Sequence, residues 1–241
     1  MIDGNKQLTA LLPMKAHSAR VTSKNFREIA GKPLFRWVLD QLLAVSEIDQ
    51  VVINTDARDI LADNGLKDGD ANGRVIIRDR KPEICGDFVS MNLVLEDDLS
   101  NVSSDYYLMT HTTNPLLRET TVKKMIADFL SAEKSDGKDS LFTVNRHQTR
   151  FYTASGSPIN HDPENLIRTQ DLEPYFEENS VCYLFTAQSF KKTRARIGEN
   201  PFLFETPAIE SIDIDEPSDW NIAESLLKRI SLGVDLFEGS N

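Results

Sequence analysis

Cysteine is nearly absent from this chain. Its two residues, Cys85 and Cys182, are too few and too isolated for a disulfide framework or a zinc knuckle, and they read as reduced thiols of a cytoplasmic protein. No apolar run approaches the roughly 20 residues that cross a bilayer. The polar stretch from Met1 to Gln7 lacks the charged-then-apolar layout of a signal peptide. Positive charge is scarce: 27 Lys and Arg stand against 38 Asp and Glu, for a net charge of −11. That balance argues against nucleic acid and anionic membrane as general partners, because both demand a basic face. The GxxxxGK[ST] phosphate loop is missing, and no serine or cysteine sits beside an evident activating base. Internal repeats and low-complexity tracts are missing as well.

What is present is the alternation of strands and helices that builds a parallel sheet. At 241 residues the chain can bury one full α/β core. Leu8 to Met14 reads as a first buried strand. Pro33 opens a helix whose Leu34, Trp37, Val38, Leu42 and Val45 fall at helical spacing. Strands are expected at Val51–Asn54, Val75–Arg78, Tyr106–Thr110, Leu141–Val144 and Val181–Phe185. Helices are expected after Asp56 and Ser90, each a candidate cap, and at Thr120–Leu130. Ile212 and Ile214 alternate as in a last strand, before a helix near Trp220–Ile230. From Asn145 to Asn179 the rhythm breaks. This polar stretch holds Phe151, Tyr152, Tyr175 and Phe176, and a structureless loop of that length is unusual inside a compact domain. It is expected to be a flap inserted into a single domain spanning 1–241.

The segment after the first strand concentrates positive charge. Lys15, Arg20, Lys24, Arg27 and Lys32 face a single acid, Glu28. In an open α/β sheet, ligands dock beyond the carboxyl ends of strands. Lys15, Ser18, Arg20, Thr22, Ser23 and Lys24 supply the cations and hydroxyls that a phosphate group needs. The expected ligand is one small, highly charged anion. A solvated basic loop is the plain alternative. Near the C-terminus, Asp213 and Asp215 are two apart on the expected strand, so both carboxylates would leave one face, which is costly without a cation between them. Helix capping by Ser218 or Asp219 is the competing use of this acidic run.

The motifs resemble those of the CMP-acylneuraminate synthetase family of cytidylyltransferases. The stretch from Leu12 to Asn25, followed by Ala30-Gly-Lys-Pro-Leu34, is similar to the family's PARGGSKxxxxKN loop and AGKPL segment. Ser18 falls on the family's serine, Lys15 replaces its arginine, and Ala16-His17 replaces its paired glycines. Asn54-Thr-Asp56 resembles the STD step. Arg80 to Ser90 resembles the RPxxLxxDxxS segment that frames the cytidine base, and His111 to Arg118 resembles QPTSPLR. Ile212 to Asp215 with Asp219-Trp220 resembles DIDxxxDW.

The resemblance implies a mostly parallel, Rossmann-like nucleotidyltransferase sheet with helices on both faces and an inserted dimerisation flap. It implies CTP held by Lys15, Ser18, Arg20, Lys24, Asn25, Arg80 and Ser90, and Mg2+ on Asp213 and Asp215. An acidic 2-keto sugar of the sialic or nonulosonic type would meet His111, Thr113, Arg118, Arg168 and Gln170. CMP would pass to its anomeric hydroxyl with release of pyrophosphate, as in cell-surface polysaccharide biosynthesis. Catalysis would rest on positioning and charge neutralisation by Lys15, Lys24 and the metal on Asp213 and Asp215. Lysine at position 15 keeps the charge but not the planar fork of arginine. His111 in place of the family's glutamine leaves the particular sugar open. Arg168 could instead pair with Glu164 or Asp171. A homodimer is implied, with the flap reaching the partner's site. Two other readings stay open: a nucleotidyltransferase acting on a sugar phosphate or other phosphorylated alcohol, and a nucleotide-binding protein without turnover.

Overall fold

The computed structural model describes residues 6–17 and 21–237. Seven strands form one sheet in the order β5-β4-β1-β6-β8-β7-β9. They are β1 (Leu8–Leu11), β4 (Gln50–Thr55), β5 (Val75–Asp79), β6 (Tyr106–Thr110), β7 (Ser140–His147), β8 (Tyr175–Thr186) and β9 (Pro201–Glu205). β5, β4, β1 and β6 run parallel, β8 lies antiparallel between β6 and β7, and β9 is parallel to β7. Six strands thus point one way and β8 alone opposes them.

Strand periodicity sorts the side chains into two cores. Leu8 and Ala10 of β1 and Leu12 just beyond it, with Tyr106 and Leu108, pack under α1 (Leu34–Ala44) and α4 (Glu119–Asp136). Leu11, Tyr107, Met109, Tyr183 and Phe185 face the other way, against α3 (Met91–Asn101) and α5 (Ala187–Thr193). A third cluster joins Leu34, Ile214 and Trp220 around α6 (Pro217–Ser231). The short helix α2 (Arg58–Asp63) follows β4. No helix among the described residues is long and apolar enough to cross a membrane.

The Ala30-Gly31 step is explained by a small hairpin. β2 (Glu28–Ile29) pairs antiparallel with β3 (Lys32–Pro33), and both loop residues take positive φ, at 49° and 96°. Two-residue hairpin loops of this kind need left-handed backbone, which glycine adopts without strain. Pro33 then stands at the N-cap of α1.

Several expectations are corrected. β1 ends at Leu11, and Met14 meets Thr55 only through an isolated bridge. Asp56 does not cap α2; its Oδ1 accepts from the Ala16 N–H at 2.7 Å, while Thr55 Oγ1 accepts from the Ala57 N–H. Ser90 occupies the N-cap position of α3 without a side-chain capping bond. The flap is shorter than 145–179. Asn145 still pairs with Glu177 and His147 with Tyr175, so the insertion is the far end of a long β7–β8 hairpin and its irregular part spans 148–174.

The expected last strand does not exist. Ile212–Asp215 joins no ladder. Tertiary bonds hold it instead: the Ile214 N–H donates to Thr113 O at 2.9 Å, and Asn114 Nδ2 donates to Ile212 O at 3.3 Å.

Candidate active site

The sheet changes direction of growth between β1 and β6: the chain lays β4 and β5 to one side of β1, then returns to place β6 on the other. Such a switch point opens a crevice at the carboxyl ends of the two strands, where α/β proteins bind ligands. A cavity of about 220 Å³ lies there, lined among others by Lys15, Lys24, Asn25, Arg80, His111 and Thr113. The structure therefore brings together six side chains that the sequence placed in one site. Ser18 and Arg20 fall outside the described residues.

Asn25 organises the loop. It is buried, its Nδ2 donates to Lys15 O at 2.8 Å, and its Oδ1 accepts from Thr112 Oγ1 at 2.7 Å. The loop after β1 is thereby tied to the end of β6. Lys24 is nearly covered, at 12% side-chain exposure; its Nζ donates to Ile214 O at 2.6 Å and lies 3.5 Å from Asp215 Oδ1. Lys15 closes the front of the cavity by an ion pair with Asp87, which holds that carboxyl below its ordinary range. An incoming polyphosphate would compete with Asp87 for the lysine.

Arg80 forms the opposite wall. Its Nε donates to Asn54 Oδ1 at 2.8 Å and its Nη2 to Asn54 O at 2.7 Å, while the Asn54 Nδ2 donates to the fully buried Asp98 at 2.8 Å. Burial pushes the Asp98 carboxyl up to about 6, against the pull of Asn54 and Arg78. The guanidinium is thus aimed by a chain that starts in the core. His111 also lines the cavity. Burial, with Arg196 and Lys24 adding positive charge nearby, lowers its imidazole to about 4. The ring is therefore neutral at physiological pH and can both donate and accept a hydrogen bond.

Other sequence candidates lie elsewhere. Arg118 is the N-cap of α4; its Nε donates to the fully buried Glu210 at 2.7 Å, and its guanidinium stacks on Phe237 at 3.6 Å. It borders a separate groove with Thr120, Lys124 and Ser211. Ser90 does not line the cavity, although its neighbours Val89 and Met91 do. In the single chain Arg168 is exposed and gripped by Asp171 through two bonds, at 2.7 and 3.0 Å. Gln170 stands in the same flap turn, where its carbonyl accepts from Gln148. His17 is exposed.

Asp215 lies beside Lys24, 3.5 Å from its Nζ; it and Asp213 stand on an irregular segment, so the expected shared strand face for the two carboxylates is not formed. Asp219 takes the capping role: its Oδ2 accepts from the Asp215 and Glu216 N–H groups at 3.0 and 2.7 Å. Among the described residues, no group of three His, Cys, Asp or Glu side chains could hold a metal ion. Magnesium rarely uses such a cage. It binds one or two carboxylates together with substrate phosphates and water, and the Asp213/Asp215 pair fits that donor set.

Sequence reasoning missed Thr112, Asp98, Tyr183 and Arg196. The last is in the basic run Lys191 to Arg196, far along the chain, where nothing local points to a cleft.

A mostly parallel sheet with one reversed strand, and a cavity lined by Lys15, Lys24 and Arg80 at its switch point, has the make-up of a nucleotidyltransferase. The chain belongs to the cytidylyltransferase family, whose sequence model matches residues 9–235. It is 27% identical over 232 residues to the CMP-N,N'-diacetyllegionaminic acid synthase of Legionella pneumophila, covering 92% of this chain and 97% of that one. It is 28% identical to the N-acylneuraminate cytidylyltransferase of Oncorhynchus mykiss, covering 93% of this chain but only 51% of that longer protein. The fold is shared with a CMP:2-keto-3-deoxy-manno-octonic acid synthetase complexed with CTP, at a TM-score of 0.62 and 16% identity, over 95% of this chain and all of the other. A 4-diphosphocytidyl-2C-methyl-D-erythritol synthase superposes with a TM-score of 0.64, again at 16% identity, over 92% of this chain and all of that one.

Proposed function

We propose that this chain transfers CMP from CTP to the anomeric hydroxyl of an acidic 2-keto sugar of the nonulosonic class, releasing pyrophosphate. The observation that carries the reading is the convergence of Lys15, Lys24, Arg80 and His111 on one cavity at the switch point. Full-length similarity to a legionaminic acid-activating relative supports the sugar class. Lys15 and Lys24 would hold the phosphates, and Arg80 would meet the base or ribose. Charge neutralisation at a preorganised site then favours the pentavalent transition state. Asp213 and Asp215 would hold Mg2+, which when bound neutralises phosphate charge and orients the leaving pyrophosphate. No residue needs to form a covalent bond to the nucleotide. The reading carries a cytoplasmic location, consistent with two free cysteines.

A pyrophosphate-release screen tests it. CTP with 2-keto-3-deoxy acids should give product, while sugar phosphates and other phosphorylated alcohols should not. Release with the phosphorylated substrates alone would favour the alternative reading, and tight CTP binding with no release from any acceptor would favour a non-catalytic protein.

The same reading includes a homodimer completed by the flap. What supports it is the exposure of Tyr152, Ile159, Leu166, Ile167, Tyr175 and Phe176, all in or beside the flap of the single chain. A second copy would cover them, since two-fold dimers are the commonest assembly. Arg168 would then exchange Asp171 for the neighbour's sugar. Inactive Arg168→Ala and Asp213→Asn subunits, allowed to exchange, should restore partial activity; a monomeric mass in solution would refute the dimer.

A further inference from the structure

Arg196 is a largely covered cation that the site described so far does not use. β8 lies beside β6 with Tyr183 directly opposite Met109. His111 follows Thr110, the last residue of β6, whose partner on β8 is Cys182. Tyr183 and His111 thus lie at the same end of the β6–β8 pair. The Arg196 guanidinium lies flat over the Tyr183 ring, at 3.8 Å from its centroid. Its backbone is fixed from the other side, because the Arg196 N–H donates to Asn92 Oδ1 at 3.4 Å. Asn92 follows Met91, which lines the nucleotide cavity. The arginine therefore stands close to the wall of that cavity, near enough to His111 for its charge, like that of Lys24, to disfavour the imidazolium.

Its present anionic neighbour is weakly engaged. Glu178 Oε1 is 3.5 Å from Arg196 Nη2, beyond a good charge-assisted bond, and the same carboxylate oxygen accepts from the Tyr183 hydroxyl. Only about a fifth of the arginine side chain is exposed, at 22%. A guanidinium has five N–H donors in a planar fork matched to a carboxylate. Ring stacking pre-sets the plane of that fork and reduces the entropy lost on binding.

The reaction supplies the remaining constraint. In a 2-keto acid sugar the carboxylate is bonded to the anomeric carbon itself. Once the anomeric hydroxyl is at the α-phosphorus, the acid group is only a few bonds away. A cation near the cavity other than the phosphate-binding lysines would then meet it. We propose that Arg196 receives the sugar carboxylate in its own subunit, with the Tyr183 ring as its platform and Glu178 as the counter-ion it leaves. The proposal rests on the acidic-sugar reading and assigns the acid selectivity to this residue.

The test compares N-acetylneuraminic, legionaminic and pseudaminic acids with their methyl esters, which keep the sugar but lose the charge. With whichever acid the wild type turns over, it should prefer the acid to the ester. Arg196→Gln should raise the KM for the acid about 10- to 100-fold, the range of one lost charge-assisted contact, and erase the preference over the ester. Its Kd for CTP should not move. Arg196→Lys should fall between the two, because charge returns without the fork. A thermal midpoint within a few degrees of wild type and the unchanged CTP affinity exclude simple misfolding. Turnover of none of the acids by the wild type would overturn the acidic-sugar reading and this inference with it. Wild-type turnover with undiminished acid preference in Arg196→Gln would overturn the inference alone.

Discussion

Replacing Glu210 by alanine should destabilise the protein more than any change at an exposed carboxylate. Glu210 has no solvent exposure. It accepts from Arg118 Nε at 2.7 Å, from the Arg118 N–H at 3.1 Å and from Thr121 Oγ1 at 2.8 Å. Three donors at the start of α4 converge on one buried carboxylate. Breaking a buried pair by removing one partner costs about 3–5 kcal/mol. The Arg118 side chain is 35% exposed and regains some water, so a loss of about 2–4 kcal/mol is expected. Glu210→Gln keeps an acceptor and should lose about half as much. Urea unfolding followed by circular dichroism reads these differences as a lower midpoint at unchanged slope. In the double mutant Glu210→Ala/Arg118→Ala the losses should fall well short of additive, because each single change strands the other group. The chain from Ile209 to Asp215 carries the Lys24 acceptor Ile214 O, so CTP affinity should weaken modestly too. A Glu210→Ala protein within about 0.5 kcal/mol of wild type, the usual range of neutral surface changes, would refute the clamp. Full additivity of the pair would refute it equally.

Lys24→Ala should weaken CTP binding by about 1.5–3 kcal/mol, the worth of a charge-assisted contact, with little change in unfolding midpoint; calorimetric titration of CTP checks both the loss and the fold. Asp213→Asn and Asp215→Asn should each abolish turnover at millimolar magnesium while leaving the fold intact, and wild-type rates in both would remove the metal role. His111 is neutral in the folded protein down to about pH 4, while its unfolded form takes up a proton near 6.5. The unfolded state therefore binds more protons between those values, and wild-type stability should fall on acidification from pH 6.5 to 4 by up to about 3 kcal/mol relative to His111→Gln. Parallel denaturant curves at pH 7 and pH 4.5 measure it; Asp98, raised to about 6 by burial, shifts the opposite way but is common to both proteins.

The sheet was legible because its strands are two-sided and buried. Leu8, Ala10 and Leu12 against Leu11, or Tyr106 and Leu108 against Tyr107 and Met109, divide between two cores as period-two patterns require. The cavity was legible because Lys15, Lys24 and Asn25 follow a strand that ends at the switch point. β9 escaped notice because Pro201 opens it and only Phe204 of its five residues is buried. α5 is seven residues long and starts from a Thr186 cap inside an apolar run, so its signal merges with the strand before it. Ile212–Asp215 imitates a strand because Ile214 is buried and Ile212 packs against the same cluster, two residues apart. What holds it is a bond to Thr113 O and the Asp219 cap, neither of which a pattern of hydrophobicity encodes. Arg118 and Arg168 look like ligand-binding arginines in sequence; only tertiary placement reveals Glu210 and Asp171 as their partners in the single chain. Arg196 comes to lie over Tyr183 of β8, a strand placed between β6 and β7, and no local stretch of the chain discloses that contact.

If the switch-point cavity moves CMP from CTP to an acidic sugar, both products must appear together. Phosphorus NMR of the protein with CTP, magnesium and a 2-keto-3-deoxy acid follows that transfer directly. A phosphodiester resonance of the CMP-sugar should rise one-for-one with pyrophosphate, and neither should form when the acid is withheld. Release of inorganic phosphate with CDP, or pyrophosphate with no phosphodiester from any acid of the class, would contradict it.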